Sequence, residues 1–105
     1  DVMETALVNA SLPGLEVMKV SCECLHLLDE LSTIGTRLAI SDVGVGAAFC
    51  EAALKGSALN VLINTKSMVN RVYAGETNFH VHRMLEDGTA HARRIYDEVI
   101  GGLFS

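Results

Sequence analysis

One segment constrains the fold more than any other: an uninterrupted, proline-free stretch rich in alanine and leucine, from about residue 41 to residue 69. It is too long for a strand and predicts a single helix. Steps of about 100° per residue place a set of small and polar residues together. This small-residue face comprises Asp42, Gly46, Phe49, Ala53, Gly56, Asn60, Asn64 and Ser67. The opposite face carries Ala47, Leu54, Ala58, Leu62 and Val69. A helix that is apolar nearly all round has to be covered nearly all round.

The remaining sequence predicts two more full helices. An amphipathic pattern runs from Leu15 to Ile34, and a second runs from about Asn78 to Leu103. A short helix precedes a break at residues 11–14, where Ser11 is the expected N-cap. Thr36 or Ser41 is the expected cap of the central helix, and Gly75 the expected hinge before the last one. The predicted fold is all-α, an antiparallel bundle around a long, buried central helix.

Two full helices and a short one are too few to cover the central helix. We therefore expect the missing cover to come from another chain or from an absent N-terminal half. Residues 1–105 are expected to be the C-terminal part of a single helical domain that forms homo-oligomers.

Composition excludes several classes of function. The net charge is −5 and the pI is about 5.2, which disfavours a nucleic-acid partner. No apolar run reaches the roughly 20 residues of a bilayer span, so no membrane is expected. Cys22, Cys24 and Cys50 lack the C-x-x-C spacing of redox and zinc sites. They are interpreted as reduced thiols in a reducing compartment, and the expected location is cytoplasmic.

The histidines do not predict a metal site. His82 with Glu86 and His91 with Asp87 are each four residues apart on the last helix, but neither pair has an evident third ligand. They are interpreted as exposed helix histidines. The segment Gly44-Val45-Gly46 follows no strand and lacks the third glycine of a dinucleotide loop, so close helix packing explains it better.

Asn60 and Asn64 lie one helical turn apart within an apolar run, where amides need hydrogen-bond partners. They either bond to neighbouring protein groups or hold a polar ligand in a groove, and the residues alone leave both open. Asp42 lies 18 residues before Asn60, about 27 Å along a straight helix. One small ligand cannot touch both.

The segments Ser41-Asp42-Val43-Gly44-Val45-Gly46-Ala47 and Asn60-Val61-Leu62-Ile63-Asn64 together resemble the formiminotetrahydrofolate cyclodeaminase and methenyltetrahydrofolate cyclohydrolase family, in its C-terminal half. The run from Leu12 to Lys19 is also similar to the helix start that precedes them. The resemblance covers about residues 1–70. It implies an all-helical, self-associating fold with a folate site between helices and no metal. The implied substrate is a tetrahydrofolate derivative, either formimino-tetrahydrofolate releasing ammonia or methenyl-tetrahydrofolate undergoing hydrolysis.

The resemblance also implies roles for particular residues. The reaction needs a carboxylate as acid or base, and Asp42, the only carboxylate on the small-residue face, is the candidate in this chain, although an acid that only stabilises the first helical turn is the simpler interpretation. Asn60 and Asn64 would orient polar ring groups of the folate. Lys66 and Arg37 would meet its anionic glutamate or polyglutamate tail, or be solvated surface charges.

Two stretches typical of the N-terminal half of this family, one glycine-rich and one acidic, do not occur in the sequence. The chain is therefore expected to be inactive alone and to act as part of a folate enzyme. The alternative is a non-catalytic helical module for oligomerisation or interaction.

Overall fold

The computed structural model describes residues 1–34 and 37–105, without the side chains of residues 37 and 38, and shows three long helices. Helix α1 spans Val2–Ile34, α2 spans Arg37–Lys66 and α3 spans Arg71–Phe104. The molecule measures 56 × 17 × 16 Å. Helices of this length rise about 45–50 Å, so consecutive helices must fold back on each other in a rod of these dimensions. The described residues contain no strand, which confirms the all-α prediction.

The core lies where α2 meets both neighbours. Ala47, Leu54 and Ala58 of α2 are buried, as predicted for the face opposite the small-residue face. They pack with Val43 and Val61 in one cluster. Helix α1 adds Met18 and Leu25, and α3 adds Val81, Ala92, Ile95 and Val99. The central position predicted for this helix is confirmed.

Helix α1 continues through Pro13, so the predicted break at residues 11–14 is wrong. Proline removes one backbone donor from a helix, a loss that neighbouring groups and water can compensate at an exposed position. Pro13 is exposed, and buried Ser11 is an interior residue whose Oγ donates to the Val8 carbonyl at 2.7 Å. Directly after the proline, Gly14 is buried against α2.

The start of α2 also differs from the prediction. The helix begins at Arg37, which makes Ser41 an interior residue rather than the N-cap. The other proposed cap, Thr36, lies outside the described residues. Asp42 is then in the second turn, so its interpretation as a first-turn acid is wrong. The helix ends at Lys66, and Val69 therefore belongs to the connection to α3.

The connection between α2 and α3 is held by side chains. Asn70 caps α3 by accepting from the Tyr73 N–H at 3.0 Å, so the predicted hinge at Gly75 is wrong and this glycine is helical. The Glu4 carboxylate accepts from the backbone N–H groups of Val69 and Asn70, both at 2.8 Å.

The end of α2 is held from α3. The Arg71 guanidinium donates to the Thr65 carbonyl at 2.9 Å and to the Met68 carbonyl at 3.0 Å. Since the Thr65 carbonyl also accepts from the Met68 N–H at 3.2 Å, these bonds tie the last turn of α2 to the connection that follows it.

Within this chain α2 is covered on one side only. Phe49 and Leu59 are each 71% exposed. The segment Ala39–Lys66 is long and apolar enough to cross a membrane by length and composition alone. That is weak support for a span, because core helices of soluble proteins pass the same test and the segment carries Asp42, Glu51 and Lys55.

Candidate functional site

Asn60 and Asn64 lie near the C-terminal end of α2, on the side next to α1. The Asn64 amide donates to the Asn60 carbonyl at 2.8 Å, which is a bond within its own helix. The Asn60 side chain is exposed and lies close to Gly14, since a Cβ on that glycine would meet Asn60 Oδ1 at 2.8 Å. Asn64 thus has a protein partner, whereas the Asn60 amide forms no hydrogen bond with the described residues and is exposed.

The structure does not bring the other predicted site residues together. Asp42 is exposed near the start of α2, and Lys66 is exposed at its last residue. Arg37 begins the helix, but its side chain lies outside the described part of the chain. Because α2 runs unbroken between them, Asp42 and Asn60 remain about 27 Å apart, as the sequence predicts.

A groove of about 570 Å³ lies between α1 and α3. Its floor is apolar and includes Cys22, Leu25 and Met84, with Gly88 where the two helices approach. A Cβ on Gly88 would lie 2.6 Å from Leu54 of α2, so α2 closes the groove from below. The rim is polar and carries His26, His80, Arg83, Asp87 and His91.

A histidine–carboxylate pair joins the two helices at one end of this groove. His91 Nε2 lies 2.9 Å from Asp29 Oδ2, and Arg94 Nη2 donates to the same oxygen at 2.8 Å. The His91 side chain is only 16% exposed, and its ring lies 5.1 Å from the ring of His26. This cluster ties α1 to α3 across more than 60 residues of sequence.

The electrostatics of the cluster keep the carboxylate charged. The hydrogen bond from Arg94, together with that from His91, holds the pKa of Asp29 below its ordinary value. An imidazole with one ring nitrogen bonded to a carboxylate retains the other nitrogen for proton exchange. The cluster can therefore orient an imidazole at the edge of the groove, and it also stabilises the bundle.

No group of three or more histidine, cysteine, aspartate or glutamate side chains is placed to hold an ion in residues 1–34 and 37–105. His82 pairs with Glu86 at 2.9 Å as the sequence suggested, whereas His91 pairs with Asp29 and not with Asp87. The cysteines are free thiols, and burial raises the pKa of both Cys22 and Cys50.

The sequence reasoning missed Asp29 and Arg94 as members of this cluster. Asp29 lies on the polar side of the amphipathic pattern of α1, where a solvated charge is the ordinary interpretation. The available signal was indirect: an aspartate beside the apolar stripe of one helix and a histidine beside that of another. Pairing them requires the relative position of α1 and α3, which no local pattern contains.

Comparisons with known proteins agree on one family. The family model described as formiminotransferase-cyclodeaminase matches residues 1–83. The chain is also 31% identical over 97 residues to the methenyltetrahydrofolate cyclohydrolase of Methylorubrum extorquens. That match includes 92% of this chain and 47% of the relative, so the chain spans about half the length of the curated relative it matches. Asp42, Asn60 and Asn64 lie inside the family match, whereas His91 and Arg94 lie beyond it.

Proposed function

This chain belongs to the formiminotransferase-cyclodeaminase family, and we propose that it forms part of a folate one-carbon enzyme. The observation that carries the proposal is the family match over residues 1–83, which includes the polar positions of α2. The proposed substrate is a tetrahydrofolate derivative. The reaction is either release of ammonia from formimino-tetrahydrofolate or hydrolysis of methenyl-tetrahydrofolate.

Both reactions need a group that moves protons at the one-carbon unit. Ring closure with ammonia release requires a protonated leaving amine, and hydrolysis requires an activated water. The chain's exposed carboxylate on the small-residue face is Asp42, which lies far from Asn60. We therefore propose that the reaction centre is completed by protein outside these residues, in an oligomeric assembly with an N-terminal half or a second chain.

Asn60 is the residue of this chain proposed to bind the folate. Its amide is exposed, and an amide can donate to and accept from the polar edge of a pterin ring. Asn64 would support it, because the Asn64 side chain holds the Asn60 carbonyl. Lys66, the last residue of α2, is proposed to meet the anionic tail.

Asn60→Leu tests this assignment. In the complete protein we expect affinity for methenyl-tetrahydrofolate, followed by titration calorimetry, to fall about tenfold, the loss expected when one hydrogen bond to a polar ligand is removed. The melting temperature should change little, since Asn60 is exposed. Asn9→Leu is the matched control, because Asn9 is an exposed asparagine on α1.

A lower melting temperature with unchanged affinity would show that Asn60 has only a structural role.

A second candidate function is a non-catalytic helical assembly module. The wide separation of Asp42 and Asn60 favours it, because the chain alone presents no compact constellation of catalytic groups. An assay that follows the absorbance of methenyl-tetrahydrofolate with the complete protein distinguishes the two functions. Turnover above the buffer rate supports the enzyme. Absence of turnover together with absence of folate binding supports the module.

A further inference from the structure

The outer surface of the α1–α2 pair carries two apolar rows with the spacing of a helix-binding surface. On α1 the row advances by three and four residues in alternation: Val17, Val20, Cys24, Leu27, Leu31 and Ile34. On α2 the same alternation gives Val45, Phe49, Ala52, Gly56, Leu59 and Ile63. All of these residues are exposed except Cys24, which is half-buried. An alternation of three and four residues is the pattern that lets one helix pack along another.

Both rows lie on the side of the bundle away from α3. On α1, Cys22 and Asp29 contact α3, and Cys24 and Leu31 are each two residues further along. Two residues correspond to about 200° around a helix, so these side chains point the opposite way.

The same relation holds on α2. Glu51 bonds to Arg93 of α3 and Leu54 lies beneath Gly88, while Phe49 and Gly56 are two residues away from them. We call the two rows together the outer face.

Gly56 lies in the α2 row of the outer face and leaves room there for the backbone of another helix. A Cβ built on Gly56 would meet nothing within 4 Å inside this chain. A glycine in a helix interior costs about 1 kcal/mol relative to alanine. Within the chain that cost has no compensating contact, whereas a helix lying closely against the outer face would supply one.

Charge identifies the chemistry of the occupant. Glu16, Glu23 and Glu30 recur every seven residues and flank the α1 row on one side. No described residue forms an ion pair with any of the three. The residues that flank an apolar row of this kind set the choice of partner. A second copy docked through the same row would bring no matching lysine or arginine, since the other flank of the row holds Ser21 and Leu28. Docked through its α2 row it would bring Lys55, which already pairs with Glu51 at 2.8 Å.

We propose that the outer face binds an amphipathic helix of another polypeptide segment, with lysine or arginine along the flank that faces the three glutamates. The row from Val17 to Ile34 is about 26 Å long, which accommodates nearly five turns of such a helix. The relative from Methylorubrum extorquens has about as much sequence again as this chain matches, enough for segments of this kind. The proposal does not depend on folate binding.

Two synthetic peptides of about three heptads test the proposal on the intact chain. Both carry leucine at the apolar positions. One has lysine on its flanks and the other has glutamate there. By fluorescence anisotropy we expect the lysine peptide to bind about tenfold more tightly than the glutamate peptide. Glu23→Lys combined with Glu30→Lys should reverse that preference.

Exposed substitutions separate the outer face from general attraction to an acidic protein. Leu27→Asp and Phe49→Asp should each weaken binding of the lysine peptide about tenfold. Phe79→Asp on α3 is the matched control and should leave binding unchanged, because Phe79 is 59% exposed and lies off the outer face. Circular dichroism verifies that each variant remains helical.

Three results would overturn the proposal. One is equal binding of both peptides, or binding that Leu27→Asp leaves intact. Another is a defined dimer in sedimentation that Leu27→Asp dissociates, which would make a second copy the occupant. The third is binding to neutral phosphatidylcholine vesicles that Phe49→Asp abolishes, without binding of either peptide, which would make the outer face a membrane surface.

Discussion

Two helical glycines, Gly14 and Gly56, differ in how closely they are packed, and alanine substitution distinguishes them. Gly14 of α1 is buried against α2: its Cβ would lie 2.8 Å from Val61 Cγ2, 2.8 Å from Asn60 Oδ1 and 3.1 Å from the Ser57 carbonyl. The Ser57 carbonyl belongs to the helix backbone and cannot move aside without shifting α2. The new methyl group therefore forces the two helices apart along the line of closest packing.

The magnitude follows from two opposing terms. Alanine in place of glycine in a helix interior gains about 1 kcal/mol of helix propensity. Forcing an extra methyl group into a closely packed contact costs about 1–3 kcal/mol, and the backbone contact places Gly14→Ala toward the upper end. We expect a net loss of about 1–2 kcal/mol in the free energy of unfolding. Gly56→Ala meets open space and should instead gain about 0.5–1 kcal/mol.

Urea unfolding followed by far-UV circular dichroism measures both variants against the unchanged chain. The sequence has no tryptophan, so helix content is the appropriate signal. The expected order of stability is Gly56→Ala, then the unchanged chain, then Gly14→Ala, with similar denaturant slopes. A Gly14→Ala variant at least as stable as the unchanged chain would refute the close packing described for α1 and α2.

Two further predictions concern acid and self-association. The pKa of Asp29 and that of Glu4 are held below their ordinary values, the former by Arg94 and His91 and the latter by backbone N–H groups. The stability that these two carboxylates contribute is therefore present above about pH 5 and is lost as pH falls through their folded pKa values. Because Asp29→Asn lacks one of the two carboxylates, it should lose less stability than the unchanged chain in urea titrations down to about pH 2. The isolated chain should associate without fixed stoichiometry in sedimentation velocity, and the lysine-flanked peptide should reduce that association. A compact monomer at all concentrations would contradict the second prediction.

The sequence predicted the helices better than their ends, for reasons visible at particular residues. The apolar periodicity of α2 identified Ala47, Leu54 and Ala58 as core, because periodicity reports directly which side is buried. The predictions at Pro13 and Gly75 were wrong because both residues usually interrupt helices. At Pro13 the helix continues with the proline exposed and Gly14 packed against α2. At Gly75 the cap supplied by Asn70, five residues earlier, decides where α3 starts.

Pairs within one helix were predictable, and pairs between helices were not. Glu51–Lys55 and His82–Glu86 follow from a spacing of four residues and are present at 2.8 and 2.9 Å. His91 has an equally spaced local candidate in Asp87, but it bonds to Asp29, 62 residues away. The half-buried His91 imidazole pairs with the carboxylate that the packing of α1 on α3 brings close, and that packing depends on the whole bundle.

The exposed side of α2 lies next to Asn60, the residue proposed to bind the folate. An apolar side that is exposed to water does not stabilise α2 in this chain. The helix is held by its covered side, through the core cluster that includes Leu54. The exposed side then has no role inside the chain. Asn60 lies between that side and α1, so a helix docked on the outer face would also cover its amide. A folate held by Asn60 and a helix held by the outer face would therefore meet at the same edge of α2. It follows that a peptide bound to the outer face should change folate affinity at Asn60, and two unlinked affinities would show that the two surfaces are independent.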